Sequence, residues 1–386
     1  MILPQDAIVE TAGLPRDLPC KDLYYRRGEY ILLFALDSRY RPEKAVGAEG
    51  IQWMERIPFE TMKQEFCRVL VAAGLSDRKA ARCAELFAEN TRDGVVSHGL
   101  NRFPGFVQDI TGGKIDTEVE PECVNSLGVI EQWDGKTGIG LLNAEIAMGR
   151  ATEIARGSGV GCVGLRNTNH WMRAGAYGLQ AADAGCIGIC WTNTTVLMPP
   201  WGSAKKKIGN NPLTLCVPYA GNHILLDMAM SQYSNGKLEV LRRRGEDLPL
   251  AGGFDDNGEL TTDPGAILNT MRPLPIGYWK GSGLALVLDL IATLISGGDS
   301  TSVIGSRPNE TNVSQVFIAI DVASLTGEQI VEETVVRIVE DFQDVPPLEG
   351  VSGIRYPGQG MLNTREDNLT NGIPVDAELW SEVLSM

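Results

Sequence analysis

From about Val124 onward, short apolar runs alternate with helix-patterned segments, and that alternation restricts the possible folds more than any single motif. GVIEQWDG reads as a strand, GIGLLNAEIAMGRATEIARGSG as a helix and VGCVGLRN as a second strand; GAYGLQAADAG, CIGICWTN and LTLCVP continue the pattern. A mixed α/β domain over 124–329 follows. GVGCVG at Gly159 to Gly164 fits the letters of the dinucleotide fingerprint, but that fingerprint follows a strand and opens a helix. Here the glycines close a helix and enter a strand, so capping and close packing account for them. GKTG at Gly135 lacks the upstream glycine of a phosphate loop, and SDRK at Ser76 matches a nucleophile motif by letters alone.

The region before this domain is helical in pattern. FETMKQEFCRVLVAAGL, after Pro58, closes on Gly74; Ser76 opens DRKAARCAELFAENTRD. DGVVSHGLNRFPGFVQDITGG has a turn at Asp93-Gly94, a cap candidate at Ser97 and a helix running to Gly112. A helical domain is therefore expected at 54–123, completed by about 330–386, where GEQIVEETVVRIVEDFQ and LWSEVLSM carry helical patterns. GGFDDNGELTTDPG is hairpin-like and is expected to overhang a cleft. Leu284 to Ile295 is the most apolar run; it contains Asp289, is too short to span a bilayer and reads as a buried helix.

With 34 Lys and Arg against 49 Asp and Glu, the net charge of −15 repels phosphate polymers and anionic lipid, so neither nucleic acid nor membrane is an expected partner. An anionic small substrate would need a local cationic trap. The 8 cysteines are scattered, Cys186 and Cys190 are spaced CxxxC, and 3 histidines are too few for a Cys/His zinc site, so neither a disulfide framework nor a metal is expected. The N-terminus lacks a secretory pattern, which points to the cytoplasm.

His98 and Arg102 in SHGLNR are four apart, a spacing that puts both on one face of a helix. A histidine transfers protons near neutral pH and a guanidinium holds a carboxylate in bidentate fashion, the two functions that reduction of a 2-keto acid requires. A solvated pair on an amphipathic helix is the plainer alternative. His170 follows the strand VGCVGLRN, where open α/β sheets place ligand clefts; a satisfied structural histidine is its alternative. His223 enters an apolar strand and suits a turn or a cofactor contact. Lys280, in YWKGSGLAL, sits where a glycine-rich loop opens an apolar helix, an anion cradle or a simple cap. Lys205 to Lys207 reads as a solvated loop.

Taken together and in order, SHGLNRFPGF, NTNHWMRAGAYG, GICWTNT, MPPWG, IGNNPL, GYWKGSGLALVLDLIATLISGG and TNVSQVFIAI resemble the type-2 malate/L-lactate dehydrogenase family from about Met54 to the C-terminus. The resemblance implies a cytoplasmic homodimer with a non-Rossmann, mixed-sheet α/β domain that binds NADH in an extended pose, beside a mainly helical second domain. It puts the family's proton donor on His98, its substrate-facing arginine on Arg102 and its second active-site histidine on His170. Cofactor contacts fall on Thr194, on the strand His223, Ile224, Leu225, Leu226, Asp227, Met228 and Ala229, on Trp279 and Lys280, and on Gly358, Gln359 and Gly360. Relatives usually carry an acidic residue where this chain has Gly360, which bears on the choice of NADH over NADPH; NADH is the expectation. The implied reaction is hydride transfer to the C2 carbonyl of 2,3-diketo-L-gulonate, favoured by HWMR. Relatives acting on malate, lactate, ureidoglycolate, sulfolactate or cyclic imino acids are alternatives, followed by a non-catalytic NADH sensor and, remotely, a metal-dependent hydrolase or lyase. Residues 1–53 fall outside the family pattern; a start codon assigned too early is expected, with an additional arm as the rival.

Overall fold

The computed structural model describes residues 55–386, so the segment 1–53 lies outside the described residues. The chain first forms β1 (Glu55–Ile57), α1 (Phe59–Ala72), α2 (Asp77–Arg92), two 3₁₀ turns (Val96–His98 and Leu100–Arg102) and α3 (Phe103–Thr111). Then come β2 (Glu122–Leu127), β3 (Ile130–Asp134), α4 (Gly140–Ser158), β4 (Val160–Thr168), α5 (Ala174–Asp183), β5 (Cys186–Thr192), β6 (Leu213–Val217) and β7 (Ile224–Met228). A small unit follows of α6 (Asn235–Arg244), β8 (Gly253–Phe254), β9 (Leu260–Thr261) and α7 (Pro264–Thr270), succeeded by α8 (Trp279–Ser296), α9 (Thr301–Ile304) and β10 (Val313–Asp321). The chain ends with α10 (Val322–Thr326), α11 (Glu328–Gln343), α12 (Gln359–Asn371), β11 (Ile373–Val375) and α13 (Ala377–Ser385).

A seven-stranded mixed sheet in the order β2-β3-β4-β10-β5-β6-β7 forms the centre. β3 and β4 are parallel, joined across α4, and every other neighbouring pair is antiparallel. α4 runs into β4 through GVGCVG, and the glycines serve close packing: a Cβ on Gly161 would meet the Ala151 carbonyl oxygen at 2.0 Å. Side chains alternate across the strands. Val163, Leu165, Phe317 and Ala319 pack under α4 and α5, while Cys162, Trp191 and Val316 pack under α8.

The helical layer has its own core. Apolar residues at helical spacing bury Met62, Phe66, Val69 and Leu70 of α1 against Ala80, Cys83, Ala84 and Phe87 of α2. Phe66 stacks on Phe103 with ring centroids 4.1 Å apart. The C-terminal segment shares this core through Ile373, Val375, Trp380 and Val383, and β11 pairs antiparallel with β1. The hairpin β8/β9 forms as its turn residues require, with Asp263 capping α7 at Gly265 N–H. Its unit is seated on the Ser97 turn, where a Cβ on Gly236 would fall 2.7 Å from Ser97 Cβ.

Two expectations are corrected. The apolar run 284–295 is not a buried helix. Its small residues Gly281, Ala285 and Ala292 face the sheet and let α8 approach it closely, so the large residues point outward: Leu286, Leu290 and Leu294 are 51%, 52% and 75% exposed. At 18 residues with mean hydropathy 1.4, α8 is long and apolar enough to cross a membrane by length and composition, a point the shorter run concealed. Asp289 ties it to the sheet domain by accepting hydrogen bonds from Asn193 Nδ2 and Thr301 N–H, both at 2.8 Å. Second, no continuous helix runs from Ser97 to Gly112: His98 and Arg102 belong to separate 3₁₀ turns, broken at Gly99, and only α3 is α-helical. Close approach to α2 forces the break, because a Cβ on Gly99 would lie 2.2 Å from Thr91 Oγ1.

Candidate active site

β4, β5 and β7 run in one direction and β10 in the other, so the C-terminal ends of the first three and the start of β10 lie at one end of the sheet. His170 follows the last residue of β4 by two positions, Thr194 follows β5 by two, Asp227 is the penultimate residue of β7, and Glu310 precedes β10 by three. Open α/β sheets bind ligands at such carboxyl ends.

The Ser97–Arg102 turns bring His98 over this end. Asn90 Nδ2 donates to the His98 carbonyl at 3.0 Å, Thr91 Oγ1 accepts from Leu100 N–H at 2.9 Å, and Ser97 Oγ lies 3.1 Å from His98 Nδ1. The rings of His98 and His170 are stacked, with centroids 5.7 Å apart and planes inclined by 15°. His170 Nδ1 accepts from Met172 N–H at 2.9 Å, which puts its proton on Nε2. Burial, with the charges of His98, Arg102 and Lys114, holds His170 well below the ordinary histidine value, so it is a neutral hydrogen-bond donor. Burial also lowers the pKa of His98, but Asp227 opposes this and favours its charged form, while Arg102 and Arg173 add to the lowering. Sequence reading paired His98 with Arg102 by helical spacing; the structure assembles the site by another local geometry. Arg102 is exposed, and its side chain makes no hydrogen bond or ion pair among the described residues.

Gly140, the first residue of α4, lies directly under His170: a Cβ there would meet the Asn169 and His170 carbonyl oxygens at 2.3 and 2.4 Å. Gly140→Ala must therefore shift the His170 backbone. Misplacement on the order of 1 Å costs about 10²-fold in rate, so turnover of Gly140→Ala is expected to fall by about that factor. Turnover equal to the parent chain would show that His170 has no positional demand.

Behind the histidines lies a charge chain that sequence reading missed. Asp227 Oδ2 accepts from Gly175 N–H at 2.9 Å and Oδ1 accepts from Thr214 Oγ1 at 3.2 Å, with Arg173 Nε 3.8 Å away. Arg173 donates to Asp93 at 2.8 Å, and the same carboxylate accepts from Arg365 at 2.7 and 2.8 Å and from Arg92 at 2.9 Å. Burial would raise the Asp93 pKa, but the Arg365 hydrogen bonds and the charges of Arg173 and Arg92 prevail and hold it at about 2. The Asp93-Gly94 turn and the arginine of HWMR were visible in sequence; that they meet was not. Glu310 was also missed. Its Oε2 accepts from Thr195 N–H at 2.9 Å, and burial raises its pKa against that bond and the charges of Arg102 and Lys114.

The residues expected at the cofactor divide into two places. Leu225 N–H donates to the Pro357 carbonyl at 2.9 Å, so the Gly358–Gly360 loop lies along β7. His223, just before β7, lies 2.9 Å from Asp183 Oδ1 through Nε2 and accepts from Tyr219 N–H through Nδ1. Thr194 is buried, its N–H donating to Asn211 Oδ1 at 3.1 Å. Trp279 and Lys280 instead open α8 on the opposite face of the sheet, where Trp279 is 66% exposed. The group along β7 and the Gly358–Gly360 loop suits a nicotinamide dinucleotide. The Gly360 and Met361 N–H groups in the first turn of α12 have no backbone partner among the described residues, as a pyrophosphate requires, and a cavity of about 630 Å³ opens beside Gln359, Tyr356 and Asn222.

The family model described as malate/L-lactate dehydrogenase matches residues 57–384. The chain belongs to that family. A 2,3-diketo-L-gulonate reductase of Citrobacter koseri is 46% identical over 332 residues, 86% of this chain and 100% of that protein. Among solved structures of the malate/L-lactate dehydrogenase type, malate dehydrogenase from Pyrococcus horikoshii superposes with a TM-score of 0.78 at 27% identity, covering 86% of this chain and 95% of that one. Sulfolactate dehydrogenase from Methanocaldococcus jannaschii gives 0.79 at 28% identity, covering 85% and 95%. The mixed α/β fold and the oxidoreductase class expected from sequence are thereby borne out, and a nicotinamide cofactor and a small 2-keto acid substrate fit the family.

Proposed function

We propose that this malate/L-lactate dehydrogenase family member reduces the C2 carbonyl of 2,3-diketo-L-gulonate with NADH, yielding 3-keto-L-gulonate. The observation that carries the chemistry is the stacked pair at the sheet end: a neutral His170 with its proton on Nε2 and a His98 whose charged form Asp227 favours. The substrate follows from the 46% identical relatives and their name. β7, Thr194 and the Gly358–Gly360 loop would hold a nicotinamide dinucleotide, which would supply the hydride. Arg102, which has no carboxylate partner among the described residues, holds the substrate carboxylate by its two-pronged face. His170 Nε2–H donates to the C2 oxygen and polarises the carbonyl; protonated His98 transfers its proton to the same oxygen as alkoxide character develops. Asp227 offsets the cost of keeping His98 charged in a buried setting.

This assignment fixes the sign of the pH dependence. Reduction requires protonated His98, and kcat/KM reports the free enzyme. Because burial sets the His98 pKa below 6.5, reductive kcat/KM is expected to decline as pH rises through a midpoint below 6.5, while alcohol oxidation rises through the same midpoint. Asp227→Asn removes the charge that raises this pKa, so its midpoint should lie lower still. An unmoved midpoint would separate Asp227 from His98.

The exposed apolar residues of α8, together with Ile330, Ile338 and Phe342 on α11, provide the surface for the proposed cytoplasmic homodimer. Light scattering should give twice the chain mass, and a monomer at micromolar concentration would remove it. For the activity, steady-state kcat/KM with NADH is compared for 2,3-diketo-L-gulonate, pyruvate and oxaloacetate, with NADPH as the cofactor control. Preference for diketogulonate with NADH supports the reading. Preference for another keto acid keeps the family chemistry and replaces the substrate.

A further inference from the structure

β10 lies between β4 and β5 in the sheet, so the segment entering β10 passes between the segments leaving its two neighbours. Those neighbours carry His170 and Thr194, and the entering segment carries Glu310. The carboxyl group is fixed from one side: Oε2 accepts from Thr195 N–H at 2.9 Å, and the second oxygen makes no hydrogen bond among the described residues. Arg102 and Lys114 act on the charge of Glu310, and the same two cations act on His170, so all four groups share one neighbourhood. Lys114 is tied to Asp109 at 3.0 Å, whereas Arg102 and Glu310 have no ion-pair partner among the described residues. Arg102 thus brings an unpaired guanidinium, and Glu310 an unpaired carboxyl group, to the same end of the sheet.

We propose that Glu310 is the acidic end of the substrate pocket, accepting hydrogen bonds from the hydroxyl groups of a polyhydroxylated 2-keto acid and rejecting tails that end in a second carboxylate. The inference rests on the proposed 2-keto acid reduction and assigns its selectivity. With the substrate carboxylate on Arg102 and the C2 oxygen between the histidines, the remaining carbons extend away from the cation. A hydroxylated tail there finds an acceptor. The tail carboxylate of a dicarboxylic acid meets a like charge, and a bare methyl group leaves a half-buried acceptor unpaired, a loss that polar pockets convert into discrimination.

The test compares kcat and KM for 2,3-diketo-L-gulonate, pyruvate and oxaloacetate in the full chain, Glu310→Gln and Glu310→Ala. Glutamine keeps the shape and an acceptor for Thr195 N–H while losing the charge, so this variant is expected to fold. The ratio of kcat/KM for diketogulonate over pyruvate should fall about tenfold in Glu310→Gln and up to about a hundredfold in Glu310→Ala, mainly through KM. Oxaloacetate should improve in Glu310→Gln. Calorimetric binding of L-gulonate, which has the hydroxylated tail but no keto group, should weaken in parallel. If the parent chain prefers diketogulonate and Glu310→Gln leaves the ratio unchanged, the Glu310 assignment fails while the proposed function stands. If the parent chain reduces none of the three, both fail.

Discussion

Replacing His98 with asparagine is expected to lower turnover by about 10²–10⁴-fold, the range that a positioned general acid contributes, with NADH affinity little changed. Asparagine is polar, smaller than the imidazole, and leaves intact the backbone contacts that build the turn, since Asn90 bonds the carbonyl of residue 98 and Thr91 bonds Leu100 N–H. It removes the imidazole stacked on His170, whose charged form Asp227 favours. His170 cannot substitute, because Nδ1 is occupied by Met172 N–H and burial keeps the ring neutral. Fluorescence titration with NADH beside steady-state turnover distinguishes the cases. Near-normal turnover would remove His98 from the chemistry, and loss of NADH binding would make it a cofactor contact.

Asp93→Asn should destabilise the protein by about 3–5 kcal/mol, the cost of stripping one partner from a buried ion pair. Its carboxylate and Arg173 are 2% and 4% exposed, so solvent screens little of the loss. Arg365 and Arg92 lose an acceptor in the same step, and with them the tie from α12 to the turn that precedes His98. The pH dependence has a definite sign. The folded pKa of about 2 lies below the ordinary 3.8, so the contribution is fully present above 3.8 and is lost as pH falls through about 2. Denaturant unfolding at pH 7 should show the full gap between the two proteins, and at pH 2 the gap should shrink. Equal stability at pH 7 would mean that the three arginines are adequately solvated without Asp93.

Much of the fold was legible because the sheet is covered on both faces, and buried strands such as VGCVGLRN and QVFIAIDV carry continuous apolar runs that composition reveals. β2 was not legible: all six of its residues are exposed, so no alternation marked it, and only pairing with β3 makes it a strand. The outward face of α8 was misread for the opposite reason. A helix apolar on every side does not say which side meets the sheet, and its small residues decide that through close packing. Within the site, His98, Arg102 and His170 stood out by chemistry and motif. The rest depends on contacts between distant segments: Asp93 meets Arg365 across 272 positions, and Thr195 meets Glu310 across 115. Local pattern carries no trace of such pairs, although each residue sits beside a motif that was noticed.

The central claim, hydride transfer to C2 with proton delivery from His98, is tested most directly by following isotope rather than absorbance. The protein is mixed with NADH carrying deuterium at the transferring C4 position and with 2,3-diketo-L-gulonate, and the product is examined by NMR. One deuterium at C2 of 3-keto-L-gulonate, formed by the parent chain and suppressed in His98→Asn, is the predicted result. Deuterium at another carbon, or no transfer while bound NADH is demonstrable, would contradict the account.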